Sequence, residues 1–340
     1  MLNIIYAIIG FGLLIIVHEL GHFIMAKVNG IKVEEFAIGM GPKIISTQGK
    51  ETKYSLGLFP IGGYVKMLGE EDEVKDERSF SSKSPLRRIS VIIAGATMNL
   101  LFAIIIFTTV LNKFGYSVPV VAELSEGSPA QMAGILSGDK FIKANGVNIK
   151  TAEDLSVEIS LAKDTPINLV VDRDGEEIEF VVTPELIEED GRERYIIGFT
   201  FDRVENPGII DSFKQGIKKT GSIIGQTFKS LKMMVQGDLN LKTDVGGPVS
   251  IIRMSNEVAK NGPWDLINFI GYISISLAVF NMLPFPALDG GWTVILLIEL
   301  ITRRKVPEKV VGVVNYVGIM ILFGIMILVT VKDILFPIQL

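Results

Sequence analysis

Four long apolar stretches constrain this chain more than any other feature of its 340 residues. A transmembrane helix needs about 20 predominantly apolar residues, and each stretch meets that length. They are residues 3–26, 89–111, 264–302 and 309–331, the third of which is broken at Pro284-Phe285-Pro286. With 48% hydrophobic residues overall, the pattern predicts a polytopic α-helical membrane protein with four transmembrane helices.

The first stretch differs from a secretory signal peptide. A signal peptide starts with basic residues and ends in a small-residue cleavage site. Here no Lys or Arg precedes Lys27, and the apolar run ends in charged residues. We therefore expect residues 1–26 to stay in place as the first transmembrane helix.

The only two histidines of the chain, His18 and His22, lie in the pentapeptide HELGH within this first span. Residues four apart share one face of a helix, so both imidazoles can bind one metal ion, and Glu19 is placed to activate a water molecule. The alternative is a helix with two buried, hydrogen-bonded histidines. Charged and polar groups within a membrane are costly and are kept mostly for function, which favours the metal site.

The remaining metal ligand is expected to be a carboxylate, because the chain has no cysteine and no third histidine. Asp289 lies in the break of the third span, where irregular backbone is tolerated only against protein or a water-filled cavity. It could instead form a simple turn before Gly290-Gly291. Two histidines, one carboxylate and an open position form a catalytic zinc set, which favours Asp289 as a ligand.

Asn281 lies eight residues before Asp289 in the same span. Its amide could form a hydrogen bond between helices. It could equally hold the main chain of a substrate or stabilise an oxyanion. The sequence does not decide between these two interpretations of Asn281.

Basic residues in short loops predict the orientation of the spans, since such loops are retained in the cytoplasm. Arg87-Arg88 and Arg303-Arg304-Lys305 mark two cytoplasmic ends. Both termini and residues 112–263 are then extracytoplasmic. His18 and His22 would lie about 8–14 Å from the cytoplasmic end of their helix, at a depth similar to that of Asp289. The net charge of −5 argues against a nucleic-acid partner.

The segments between the spans are of three kinds. Residues 27–88 contain Gly- and Pro-rich strands over 33–68, followed by an acidic linker. Residues 112–202 form a small α+β domain, with a hairpin turn at Asp174-Gly175. Residues 203–263 contain an amphipathic helix over 210–236, expected on the outer membrane face, and a linker.

Together these residues resemble the site-2 protease family of intramembrane zinc metalloproteases, in its RseP-type branch. HELGH matches the first family signature, and NMLPFPALDGG, over 281–291, matches the second. Residues 128–139, with Ser-Pro-Ala, Ala-Gly-Ile and Gly-Asp, look like a bacterial PDZ domain. Residues 33–68 are similar to the membrane-associated β-loop of the family, and 246–249 (GGPV) to a further element. One departure is Ala96, where relatives have proline in Ala-Gly-Pro-x-x-Asn.

The resemblance implies a multi-pass protein of the bacterial cytoplasmic membrane, in a short form with a single extracytoplasmic PDZ domain. It implies Zn²⁺ as cofactor, His18, His22 and Asp289 as its ligands, and Glu19 as general base, with the active site near the cytoplasmic side. Substrates would be single-span membrane proteins already trimmed by another protease, such as anti-sigma factors or signal-peptide remnants. The lipid bilayer is the remaining partner.

Two other functional classes compete with this interpretation. A non-proteolytic PDZ membrane scaffold with structural zinc predicts a fourth protein ligand. An ion or metal transporter predicts paired spans with internal repeats, which the sequence lacks.

Overall fold

The computed structural model describes residues 2–70, 74–189, 192–238 and 245–337. Part of the predicted acidic linker, residues 71–73, lies outside this range. The helices are α1 (Leu2–Val28), α2 (Pro85–Phe114), α3 (Pro129–Met132), α4 (Ala152–Ala162), α5 (Ile209–Gln236), α6 (Pro248–Asn261), α7 (Pro263–Asn281), α8 (Asp289–Thr302) and α9 (Glu308–Leu335). The strands are β1 (Val33–Gln48), β2 (Lys53–Met67), β3 (Tyr116–Leu124), β4 (Lys140–Ala144), β5 (Val147–Asn148), β6 (Ile167–Arg173), β7 (Glu176–Val182), β8 (Glu185–Glu189), β9 (Arg192–Ile196) and β10 (Phe199–Val204).

Four of the described helices are long and apolar enough to cross a membrane, namely α1, α2, α7 and α9. They fit the prediction of a membrane protein with four apolar spans. The predicted break in the third span is also present, since α7 ends at Asn281 and α8 begins at Asp289. The proline-containing loop between them ends α7 because proline cannot continue a helical hydrogen-bond ladder.

The chain forms two compact units, residues 1–106 with 227–340, and residues 107–226. The first unit contains a hairpin of β1 and β2 that folds back on itself. Phe36, for example, pairs with both Val65 and Tyr54. Each of the two long strands is divided at bulges into two short segments, because a bulge bends the strand that carries it. The four segments lie side by side in the sheet in the order 63–67, 33–38, 53–57 and 43–48. Segment 63–67 therefore lies at one edge of this small sheet.

The carboxylate of Glu51 joins the hairpin to its surroundings. It accepts hydrogen bonds from Lys27, at the end of α1, and from Arg78. These bonds lower the pKa of Glu51 to about 2, because they favour the charged form. The hairpin is thus held at the end of the helix that carries the HELGH motif.

The second unit contains a mixed α+β module, as the sequence predicts. Its main sheet has the order β10-β3-β4-β6-β7, and its core includes the fully buried Phe141, Leu155 and Leu169. The β6–β7 hairpin turns at Asp174-Gly175, where both residues have positive φ, as a type I′ turn requires. The separate β8–β9 hairpin and α6 were not predicted from the sequence.

A buried ion pair connects α8 to α2 within the first unit. Arg88 donates to Glu299 at 2.9 Å, and both side chains are more than nine-tenths buried. The other oxygen of Glu299 accepts from the main-chain amide of Val306. Only Arg87 of the predicted basic pair is therefore exposed, and Arg88 instead fixes the position of the helix that begins with Asp289.

We predict that Glu299→Gln lowers the free energy of unfolding by about 3–5 kcal/mol, because it leaves the charge of Arg88 buried without a counter-ion. The double variant Arg88→Met with Glu299→Gln should recover part of this loss. Denaturant unfolding of the purified protein in detergent measures both. Glu257→Gln, at an exposed ion pair on α6, is the control and should change little. Equal destabilisation by the single and the double variant would contradict the role of the pair.

Candidate metal centre

Three side chains from two helices converge in the first unit. His18 and His22 are four residues apart on α1, and Asp289 is the first residue of α8. Nε2 of His18 lies 3.2 Å from Nε2 of His22 and 3.2 Å from Oδ2 of Asp289, and Nε2 of His22 lies 3.5 Å from the same oxygen. The structure therefore brings together the residues that the sequence singled out as candidate ligands.

These distances fit a zinc ion. With zinc–ligand distances near 2.05 Å, neighbouring ligands of a tetrahedral site are about 3.3 Å apart. Oδ2 of Asp289 is buried and has no hydrogen-bond partner, and an orphaned buried acceptor of this kind needs an explanation. A metal ion held between the two imidazoles and the carboxylate would supply one.

The candidate metal site has three ligand residues, His18, His22 and Asp289. Among the described residues, no further His, Asp or Glu joins these three ligand atoms in a cluster able to hold a metal. A structural zinc site is closed by four protein ligands, whereas a catalytic site keeps a position open. The donor set therefore matches the catalytic kind and not the fully closed site that a zinc scaffold predicts.

Helix α2 contacts both histidines. Nδ1 of His22 lies 2.9 Å from the carbonyl oxygen of Val91, so Nδ1 donates its proton there and Nε2 is free to bind a metal. A Cβ on Gly95 would lie 2.5 Å from Nε2 of His22 and 2.7 Å from Cε1 of His18. Only glycine leaves room for both rings at this position.

Glu19 and Asn281 lie at the same cavity, which has a volume of about 280 Å³. The same cavity is also lined by Gly63, the first residue of the edge segment 63–67, and by the preceding Gly62. A Cβ on Gly63 would lie 3.1 Å from Cγ of Glu19, so the bare backbone there keeps the space beside the carboxylate open. Nδ2 of Asn281 is 3.4 Å from Nε2 of His18, and its amide thus faces the candidate metal position.

Four residues at this site were not predicted from the sequence, namely Val91, Gly95, Gly63 and Asn99, whose Nδ2 lies 3.5 Å from Nδ1 of His18. Val91 contributes only a main-chain carbonyl, and no side-chain pattern reveals such a role. Gly95 and Asn99 stand in the segment compared with the family's Ala-Gly-Pro-x-x-Asn pattern, and this was the available signal.

Comparisons with known proteins show the family to which this chain belongs. A family model described as Peptidase family M50 matches residues 6–325. The chain belongs to this family, the site-2 proteases. A Clostridium perfringens protein named "putative zinc metalloprotease" is 49% identical over 98% of this chain and 99% of its own length. A Clostridium acetobutylicum protein with the same description is 45% identical over 99% and 98%, respectively.

A third relative, the zinc metalloprotease RasP of Geobacillus kaustophilus, is 29% identical over 98% of this chain and 97% of its own length. Family membership and these relatives identify the protein as a zinc metallopeptidase of the membrane. The predicted family, enzyme class and Zn²⁺ cofactor are confirmed.

We predict that Gly95→Ala lowers the zinc content of the M50 peptidase at least tenfold, because the added methyl group displaces the imidazole rings of both candidate ligands. Gly324→Ala is the matched control, since a Cβ there meets open space. Elemental analysis of the purified proteins at one fixed free-zinc concentration measures the difference. Full zinc occupancy in Gly95→Ala would show that the helices do not approach as closely as the structure indicates.

Proposed function

We propose that His18, His22 and Asp289 hold the catalytic zinc ion and that Glu19 is the general base for hydrolysis of a peptide bond in a single-span membrane protein. The observation that carries this proposal is the spacing of the three ligand atoms around the orphaned Oδ2 of Asp289. A zinc ion held by these three residues would make a bound water molecule more acidic and would polarise a carbonyl group.

Glu19 performs the proton transfers. Its carboxylate follows His18 in α1 and lines the cavity with both His18 and Asp289. It accepts a proton from the attacking water and then delivers that proton to the nitrogen of the leaving amine, which is the role of a general acid–base group. The free space beside Gly63 admits the water and the scissile bond.

Asn281 supplies a hydrogen-bond donor. Its Nδ2 lies on the cavity side of His18, where an oxyanion forms when water adds to the carbonyl group. A donor that is held in place before the reaction stabilises this charge most effectively. We assign Asn281 this role in preference to a bond between helices.

The edge segment 63–67 is proposed to bind the substrate as an added strand. A helical substrate must first unwind, because its carbonyl groups are occupied by helical hydrogen bonds. Among the described strand segments, 63–67 pairs on one side only, with 33–38. A free edge can pair with an extended peptide.

A cavity of about 800 Å³ lies where this strand would fit. Tyr64, Val65 and Lys66 of the edge segment line one side of it, and Trp292 of α8 and Asn315 of α9 line another. Because Gly63 lies beside Glu19, a peptide paired along the edge segment would pass the general base and continue into this cavity.

The orientation proposed from the basic loops places the active site near the cytoplasm. Arg303, Arg304 and Lys305 are exposed at the end of α8, which begins with Asp289. The α+β module would then be extracytoplasmic and would act as a PDZ domain that admits substrates already trimmed by another protease. Anti-sigma factors and signal-peptide remnants are the substrate classes we propose.

The residues of the proposed PDZ motif have structural roles in this module. Ser128 caps α3 through the amide of Gln131. Asp139 is buried and forms a bidentate pair with Arg173. Burial alone would raise the pKa of Asp139, but the bonds from Arg173 and from the amide of Leu136 hold this pKa below its usual value.

The competing interpretation, a non-proteolytic scaffold with structural zinc, would need no general base.

We predict that Glu19→Gln keeps zinc but lowers cleavage of a co-expressed single-span substrate at least a hundredfold, the scale of general-base catalysis. Asp289→Asn should lower the zinc content, and Asp265→Asn, at an exposed site on α7, should change neither. Immunoblots of the substrate and elemental analysis of the enzyme provide the two measurements. Sustained cleavage by Glu19→Gln would refute the proposed base, and unchanged zinc in Asp289→Asn would remove Asp289 from the ligand set.

The absence of cysteine from the chain allows a direct test of strand addition. In a Glu19→Gln background, Lys66→Cys should form a disulfide with a single cysteine placed beside the scissile bond of the substrate, because Lys66 lines the large cavity. Lys50→Cys, exposed in the turn between β1 and β2, is the control and should not cross-link. Non-reducing gels measure both, and equal cross-linking at the two positions would contradict this binding mode.

A further inference from the structure

Three residues of α2, spaced four apart, face the two histidines of α1. Val91 accepts the hydrogen bond of His22, Gly95 makes room for both rings, and Asn99 lies against His18. Residues with this spacing share one face of a helix. This face of α2 therefore contacts both candidate histidine ligands.

The ring of His18 must carry its proton on a defined nitrogen. Its Nε2 points toward His22 and Asp289, and a ligating nitrogen offers its lone pair to the metal. The neutral ring then has its hydrogen on Nδ1, which becomes a donor. A second protein group normally accepts this hydrogen and fixes the orientation of the ring.

Asn99 is the group beside this nitrogen. Its Nδ2 lies 3.5 Å from Nδ1 of His18, so that two donors face each other. Its Oδ1 is buried without a hydrogen-bond partner, and the whole side chain is inaccessible to solvent. Both ends of the amide thus lack a favourable hydrogen bond in this orientation.

Exchanging the two ends of the amide removes this conflict. The oxygen and nitrogen of an amide occupy equivalent positions, which are distinguished by their hydrogen bonds. We propose that Asn99 accepts the Nδ1 hydrogen of His18 through Oδ1 and so acts as a positioning residue for the zinc ligand. This inference rests on the proposed zinc site and adds to it a residue that does not touch the metal.

The main chain of Asn99 is held in place independently of its side chain. Ser274 of α7 donates to its carbonyl oxygen at 2.8 Å. The two histidines are therefore oriented by different means, since His22 uses the main-chain carbonyl of Val91 and His18 uses a side chain. Only the support of His18 can be removed by a side-chain substitution.

The test compares zinc affinity among variants of the purified full-length protein, measured by competition with a chelator. Asn99→Leu removes the acceptor and should weaken zinc binding about 10–100-fold, as is typical when a partner of a ligating histidine is lost. Asn99→Asp keeps an acceptor and should bind zinc at least as tightly as the wild type. Ser274→Ala disturbs the same helix contact without removing the acceptor and should leave zinc affinity unchanged.

The outcomes separate this inference from the proposed function. Wild-type zinc affinity in Asn99→Leu, or equally weak binding in Asn99→Asp and Asn99→Leu, would overturn the acceptor role of Asn99 and leave the ligand set intact. If Asn99→Leu does not fold, Asn99→Ala replaces it as the variant that lacks the acceptor, with the same expected loss of zinc affinity. A wild-type protein that binds no zinc would overturn both proposals. Visible spectra of the Co²⁺-loaded proteins, recorded alongside, should change in Asn99→Leu and not in Ser274→Ala.

Discussion

The contact between one carboxylate and two imidazoles inside an apolar helical unit is the constraint on which the active site depends. Unpaired polar groups are expensive in a medium that offers no water. His18 and His22 face Asp289 at 3.2 and 3.5 Å, and a metal ion held between them would satisfy all three groups. The break between α7 and α8 places this carboxylate at the depth of the histidines.

The surrounding elements hold this contact from several directions. Helix α2 provides a main-chain carbonyl at Val91 and a close approach at Gly95. Arg88 and Glu299 fix α8 to the same helix. The folded-back hairpin brings its edge to Glu19, which leaves a polar cavity beside the candidate metal position. Hydrolysis in a membrane thus depends on a small water-accessible space that the protein itself encloses.

Much of this arrangement is predictable from the sequence, because the strongest signals are local. The four spans follow from continuous apolar runs, the histidine pair from its spacing, and the proposed carboxylate ligand from the absence of cysteine and of a third histidine. The remaining parts depend on contacts between distant residues. Val91 meets His22 across 69 positions, and Asn99 meets His18 across 81. The β1–β2 hairpin folds back on itself at bulges, and the alternating sequence pattern does not predict these bulges.

X-ray absorption at the zinc edge of the purified full-length protein tests the central claim most directly. The account predicts one zinc ion per chain, with two imidazole nitrogens among a first shell of nitrogen and oxygen donors. His22→Ala should abolish this spectrum. A zinc ion with more than two imidazole or any sulfur donors, or a spectrum unchanged by His22→Ala, would contradict the proposed active site.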